Sequence, residues 1–271
     1  MQKVAYQGHR GCRGLLPENT IPAFKKALDY VEILEMDVVV SQDKQIIISH
    51  EPWMSHKICS HPDGKPVIKE EAKKLNLYQM SYEQIKSYDC GLRGNPKFSQ
   101  QQKMKVHKPS LKDMVEAIES YVLEENKKAP WYDIEIKSEE DHYNIMQPEP
   151  AEFVRLILNE LNELGVKDRS NLQSFDLNIL EEIRKQDLKI KIAYLVDNMH
   201  SVEKNFQKLS YTPDIYSPYY KLVTEKMVDF CHSKNVEVIP WTVNDPLDMK
   251  KLTLKGVDGI ITDYPNLKIE H

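Results

Sequence analysis

The chain has 271 residues, a formal net charge of −5 at pH 7 and 41% hydrophobic side chains. That length is too great for one small core and suits a large α/β barrel or two ordinary domains. The acidic balance lacks the basic face of a nucleic-acid binder, no basic amphipathic run offers an anchor to anionic membranes, and no apolar run reaches the roughly 18–20 residues of a membrane span.

The N-terminus, MQKVAYQGH, enters a strand-like segment at once, with no apolar leader. The chain is therefore expected to be soluble: cytoplasmic if complete, periplasmic or secreted if a signal peptide has been removed. Short apolar segments then alternate with helical patterns. The strand candidates are VAYQG (4–8), ILEMDVVV (33–40), WYDIEIK (131–137), LQSF (172–175), IKIAYL (190–195), DIYSP (214–218), VEVIPWTV (236–243) and VDGIIT (257–262). Between most of them run amphipathic stretches: TIPAFKKALDYV, SLKDMVEAIESYVL, PAEFVRLILNELNEL, LNILEEIRKQ, TEKMVDFCHSK and PLDMKKLTLK. Strand alternating with helix implies a parallel sheet with right-handed crossovers, and eight such units fit a TIM (β/α)₈ barrel. A doubly wound open sheet is the competing topology. Asn19 or Thr20 can cap the first helix, Ser110 and Asp176 two later ones, and Gly165 can close the helix before it.

One segment breaks the alternation. VVVSQ is followed by DKQIIISHE, and Asp43-Lys44 reads as a tight hairpin turn. Antiparallel pairing about that turn places Val40 near residues 45–47 and returns His50 to the level of Asp37. Residues 51–108 are polar and irregular, with Pro, Gly and Gln interruptions. They read as an insertion into a single domain spanning 1–271, with one or two short helices such as SYEQIKSY, placed to cover the barrel mouth. The four cysteines, Cys12, Cys59, Cys90 and Cys231, show no CxxC pair and no zinc spacing, and are expected to be reduced thiols.

Glu35 and Asp37 in LEMDVVV share one face of a strand, and DIEIKS repeats the pattern with Asp133, Glu135 and Lys137. Carboxylates on the inner face of a core strand are costly unless neutralised. Two solutions fit the pattern: ion pairs with Arg10 and Lys137, or a divalent cation, for which all-oxygen ligands favour Mg²⁺ or Ca²⁺ over zinc. His9 and His50 each stand at a strand end beside these carboxylates and can divide acid and base work. Arg10 and Lys137 add cationic groups suited to phosphate oxygens. Cation, metal and two imidazoles suit a phosphodiester better than a neutral ester or amide.

HRG followed by PENT, then ExD, a hairpin ending in His, and EIK resemble the glycerophosphodiester phosphodiesterase family, and KPSLKDMV, QSF, PWTVN and GIITDYP stand in order where that family has comparable segments. The resemblance covers nearly the whole chain. It implies a (β/α)₈ barrel with a subdomain inserted after the hairpin, and metal-dependent hydrolysis of glycerophosphodiesters to glycerol 3-phosphate and an alcohol. By position, Glu35, Asp37 and Glu135 resemble the ligands of one divalent cation, His9 and His50 the acid–base pair, and Arg10 and Lys137 the phosphate contacts. Glu18 and Asn19 look like site-supporting residues. Trp241 resembles the aromatic wall of the substrate pocket, although ordinary barrel core explains it equally well. Two departures stand out: Glu51 follows His50 where the family often has Asp, and WMSHKICS replaces the usual Arg-Thr-Thr segment. The resemblance leaves open Mg²⁺ against Ca²⁺, which histidine is acid, and whether water attacks directly or opens a cyclic phosphate. It also leaves open the alcohol selected and the oligomeric state. A non-catalytic phosphodiester-binding barrel and a lysophospholipase D-like enzyme are the alternative readings.

Overall fold

The computed structural model of the protein describes residues 4–269. Eight short strands run parallel at its centre: β1 (Ala5–Gly8), β2 (Ile33–Val40), β4 (Trp131–Ile136), β5 (Ser170–Ser174), β6 (Lys191–Val196), β7 (Ile215–Pro218), β8 (Glu237–Val238) and β9 (Gly259–Thr262). A ninth, β3 (Ile46–Ile48), pairs antiparallel with β2. The ladder runs β8-β7-β6-β5-β4-β2-β1-β9, so neighbours follow chain order with no reversal of the kind a doubly wound sheet requires. Its two ends meet through backbone bonds from Asp258 N to Val238 O (2.9 Å), Ile261 N to Pro240 O (3.0 Å) and Val243 N to Ile261 O (2.9 Å). The (β/α)₈ expectation holds. β8 is shorter than the apolar run 236–243 suggests, because Pro240 has no N–H to continue the ladder.

The helices alternate with the strands as the periodicity requires. α1 (Ile21–Ala27) follows β1. α2 (Lys69–Ala72) and α3 (Tyr82–Lys86) lie beyond the hairpin. α4 (Leu111–Glu124), α5 (Pro150–Glu163), α6 (Leu177–Gln186), α7 (Val202–Phe206), α8 (Glu225–Ser233) and α9 (Pro246–Leu254) complete the outer layer. α7, with one turn and little more, is too short to register as a period. Thr20, not Asn19, caps α1. Ser110 and Asp176 cap α4 and α6 as expected, and Gly165 takes the left-handed conformation (φ 68°) after α5. On β2 the even-numbered side chains Leu34, Met36 and Val38 point outward into the main core under the helices, each worth roughly 1.5–3 kcal/mol of burial. That face fixes the register and turns Glu35 and Asp37 inward.

Residues 51–108 have a core of their own. Met54, Ile58, Leu77 and Ile85 pack on Val39 and Ile47, the side of the hairpin turned away from the main core. The segment leaves and rejoins the barrel at one place, where Ile48 N donates to Pro109 O (2.9 Å) and Ile47 bridges Ser110. Within it Cys59 and Cys90 form a disulfide, which corrects the expectation of four reduced thiols; Cys12 and Cys231 are free and buried. The cysteines are 31 residues apart, outside any motif, and the antiparallel bridge between Ser60 and Asp89 sets them side by side. Asn76 Nδ2 donates to Ile145 O (2.7 Å), tying the segment to the loop after β4. Among the described residues no helix is long and apolar enough to cross a membrane.

Glu160 on α5 is a local liability. Its Oε1 is buried without a hydrogen-bond partner. Burial, reinforced by Glu163, pushes its carboxyl from the ordinary 4.5 up to about 7. A raised folded-state value means the stability is fully present below about pH 4.5 and is lost as pH rises towards 7, by at most about 3 kcal/mol. Glu160→Gln is expected to raise Tm by a few degrees at pH 8 and to leave it unchanged or lower at pH 4.5. Thermal unfolding at the two pH values checks this; a gain that does not depend on pH would contradict it.

Candidate active site

The C-terminal ends of the eight strands open on one face, the end of a (β/α)₈ barrel where chemistry resides. Parallel register sets Glu35 beside Asp133 and Asp37 beside Glu135, then Asp133 beside Asn171 and Glu135 beside Gln173. The barrel interior is thereby divided. β2, β4 and β5 contribute acids and amides, while Ala193, Ile215, Ile239 and Ile261 make the opposite side apolar. Asp133 lies one layer below the mouth. Asn171 Nδ2 donates to it, and burial pushes its carboxyl up to about 7 despite that bond.

Glu35, Asp37 and Glu135 are buried, and an oxygen of each lies within 4.8 Å of the others. Burial, together with Asp37 and Glu135, drives the Glu35 carboxyl well above the usual range. Burial also raises Glu135, against the pull of Lys137. Asp37 is the reverse: burial works against its charge, but Arg10, His50 and Lys137 hold it well below the usual range. Arg10 Nε stands 3.0 Å from Asp37 Oδ2, a charge contact without hydrogen-bond alignment. Lys137 Nζ is 2.6 Å from Glu135 Oε1 and 3.9 Å from Asp37 Oδ1. Asp37 Oδ1 itself is buried with no hydrogen-bond partner. Three convergent carboxylates, two of them resisting ionisation and one with an unmet oxygen, fit a hard divalent cation. The two side-chain cations alone leave the set short of positive charge.

The opening loop supplies the rest. Gly11 (φ 83°) lies so close to the backbone of Ala23 that a Cβ would meet Ala23 C at 2.7 Å. The turn there lets Arg10 N donate to Glu35 Oε2 (2.9 Å) and Arg10 Nη1 to Glu18 Oε1 (2.8 Å). Asn19, itself left-handed (φ 57°), donates from Nδ2 to Asp37 Oδ2 (2.8 Å). Glu18 thus orients Arg10 and Asn19 orients Asp37.

His9 is buried just beyond β1. Its Nδ1 lies 2.6 Å from Asp263 Oδ1, which leaves Nε2 facing Glu35 Oε2 at 3.8 Å. Burial, aided by Arg13, brings the imidazole down to about 4, so it is neutral at pH 7. Asp263 is gripped by Arg13 and by Asn244 Nδ2 (2.7 Å). His50 is half-buried beyond the hairpin, one residue past Ser49, whose N–H bonds Asp37 O; its Nδ1 is 3.5 Å from Glu51 Oε1. Burial notwithstanding, His50 and Lys108 hold the Glu51 carboxyl down at about 2.

These groups line a two-lobed cavity. The inner lobe, about 270 Å³, has His9, Arg10, Glu35 and Gln173 on one side and Leu195, Trp241 and Ile261 on the other. The outer lobe, about 380 Å³, lies between residues 51–53 and the loop after β4. His50, Glu135, Lys137 and Phe175 belong to both. Trp241 is a wall of the inner lobe, edge-on to Phe175 at 5.4 Å, with Nε1 bonded to Ser217 O (2.8 Å).

All ten residues singled out in the sequence lie at this mouth. Asp263, Arg13, Gln173 and Phe175 were not assigned roles. Gln173 and Phe175 sit in QSF and Asp263 in GIITDYP, segments noted only as landmarks. The usable signal was an Asp placed directly after the last barrel strand, at the level of His9.

The profile of the glycerophosphoryl diester phosphodiesterase family matches residues 9–267. A glycerophosphodiester phosphodiesterase of Caldanaerobacter subterraneus subsp. tengcongensis is 27% identical over 98% of this chain and 97% of its own. A crystal structure from Silicibacter pomeroyi, of a protein named provisionally as a glycerophosphoryl diester phosphodiesterase, superposes with a TM-score of 0.86 at 28% identity, covering 98% of this chain and 92% of that one. An Oleispira antarctica phosphodiesterase solved with its product sn-glycerol-3-phosphate shares the fold, with a TM-score of 0.75 at 21% identity over 96% and 93% of the two chains. With the profile covering nearly every residue from His9 onward, the chain belongs to the glycerophosphoryl diester phosphodiesterase family, whose members are phosphoric diester hydrolases.

Proposed function

We propose that the chain hydrolyses glycerophosphodiesters to glycerol 3-phosphate and an alcohol, with His9 and His50 as base and acid around one divalent cation. The observation that carries this is the meeting of Glu35, Asp37 and Glu135 within 4.8 Å in a cavity flanked by both imidazoles. Mg²⁺ or Ca²⁺ held by these carboxylates would offset charge on the phosphoryl oxygens and make phosphorus more electrophilic. The product bound to the Oleispira antarctica protein is the one this reading requires.

The chain's own groups divide the work. Arg10 and Lys137 face the inner lobe and offset charge on the remaining phosphoryl oxygens. Glu18 and Asn19 keep Arg10 and Asp37 in place, and Trp241 walls the glycerol side. His9 lines the inner lobe alone, its Nε2 carrying a lone pair while Nδ1 is bound to Asp263; it takes the proton of the attacking oxygen. That oxygen belongs to water, or to the glycerol 2-hydroxyl in a route whose cyclic phosphate water then opens. His50 borders both lobes, which supports it as the group that gives the departing alkoxide its proton.

The test is to incubate the protein with glycerophosphocholine and Mg²⁺ or Ca²⁺ and to assay glycerol 3-phosphate. Release is expected with at least one ion. Saturable binding of the diester with no product under either would make the protein a binding barrel instead. A rapid-quench search for cyclic glycerol phosphate separates the two routes of attack.

A further inference from the structure

The outer lobe has a chemistry of its own. One wall is Glu51, Pro52 and Trp53; the other is the loop from Ser138 to Gln147, with Phe175 closing the end. Both walls are held before any ligand arrives. Gln147 Nε2 donates to Ser138 Oγ (2.6 Å), Tyr143 Oη donates to Asp176 Oδ2 (2.6 Å), and Asn76 ties the loop to the inserted segment. The His142 ring meets Trp53 edge-on at 6.5 Å. The Trp53 face already attracts an ammonium, Lys73 Nζ at 5.1 Å from its centroid, although Lys73 does not line the lobe.

Charge points the same way. Lys137, the ammonium in this wall, is engaged by Glu135 at 2.6 Å. Glu51 faces the lobe beside His50 at 3.5 Å, with Lys108 behind it and outside the lining, and Glu139 stands at the exposed rim with His142 at 3.6 Å as its neighbour. Aromatic rings beside carboxylates in a cavity that adjoins the departing oxygen suit an organic cation. A polyol would leave the rings unused, and an anionic alcohol would meet like charge.

We propose that this lobe holds the leaving alcohol and selects alcohols that carry an ammonium group, with Trp53 and Glu139 as specificity-determining residues. The inference rests on the hydrolase reading above and adds to it the class of alcohol. Neither residue touches the reacting centre, so their loss should alter choice rather than chemistry.

The experiment compares kcat/KM for glycerophosphocholine, glycerophosphoethanolamine and glycerophosphoglycerol. Wild type is expected to favour the two cationic diesters by about tenfold, the range of a partly desolvated cation–π contact with a carboxylate nearby. Trp53→Leu and Glu139→Gln should each shrink that preference, read as the ratio of kcat/KM for the cationic diesters to that for glycerophosphoglycerol, to about threefold or less. Trp53→Phe should keep most of it. Equal kcat/KM for all three in wild type, or a preference untouched by both substitutions, overturns the proposal. Absence of glycerol 3-phosphate from every diester overturns the hydrolase reading instead. The lobe is then tested by calorimetric titration with choline itself, where saturable binding weakened by Glu139→Gln supports the proposal and no binding sinks it.

Discussion

His9→Ala and His50→Ala are each expected to lower kcat on glycerophosphocholine by about 10²- to 10⁴-fold, the ordinary worth of a positioned proton-transfer group. KM should change little, because neither imidazole is assigned to hold the ground-state substrate. The two losses should then separate on a substrate whose alcohol leaves without help. With a p-nitrophenyl ester of glycerol phosphate the departing anion needs no proton, so His50→Ala should recover most of its activity. His9→Ala should not, because the attacking oxygen still has to lose a proton. The asymmetry follows from placement: His9 is buried, confined to the inner lobe and fixed by Asp263 at 2.6 Å, whereas His50 borders both lobes. Recovery by His9→Ala instead would exchange the two roles. Full activity in both variants would remove them. Circular dichroism of each variant guards against loss through unfolding.

Removal of the cation should cost about as much. Activity is expected to fall by about 10³-fold after dialysis against EDTA, and to return with Mg²⁺ or Ca²⁺, since polarising a phosphoryl oxygen is worth several kcal/mol. Asp37→Asn should reproduce the loss and resist rescue by millimolar ion. It removes the negative charge of one of three convergent ligands, leaving at most a neutral amide oxygen, and takes from Arg10 the carboxylate that holds it at 3.0 Å. The substitution should also relieve crowding among the acids. Relief of Glu35, which Asp37 helps to hold high, is opposed by the loss of the buried charge that Arg10, His50 and Lys137 hold low, so a fall in Tm is expected in metal-free buffer, and circular dichroism at the assay temperature checks that the variant is folded. An Asp37→Asn protein with wild-type kcat and unchanged dependence on added ion would refute the ligand assignment.

Much of this was legible because it follows from period. Eight apolar runs separated by amphipathic ones favour the barrel over a doubly wound sheet, and the i, i+2 spacing of Glu35/Asp37 and Asp133/Glu135 puts each pair of acids on one face of its strand, which the apolar residues alternating with them turn inward. The hairpin could be placed from Asp43-Lys44, and pairing of Val40 with Ile46 fell inside the expected window. What escaped depends on contacts remote in sequence. Asp263 reaches His9 across 254 residues, a pairing legible only from the closure of β9 onto β1 and not from the spacing around either residue. Asn19 offered two roles, and its left-handed backbone together with the bond to Asp37 decides between them. The Cys59–Cys90 disulfide depends on the bridge between Ser60 and Asp89, which belongs to the irregular segment where periodicity says least.

The neck at Ile47–Ile48 and Pro109–Ser110 carries an evolutionary corollary. Residues 51–108 depart and return through one pair of adjacent backbones, so closure entropy costs roughly 0.6 kcal/mol for each doubling of their length, and their further ties to the barrel are local, among them Asn76 to the loop after β4 and Gln101 to the opening loop. Their apolar nucleus is lodged against the far side of the hairpin, apart from the helices. Away from those ties such a segment behaves as a cassette: its remaining stretches can be lengthened, trimmed or exchanged between relatives while the carboxylates beneath keep their positions, so the appetite for one alcohol or another can drift without the cleavage chemistry being rebuilt.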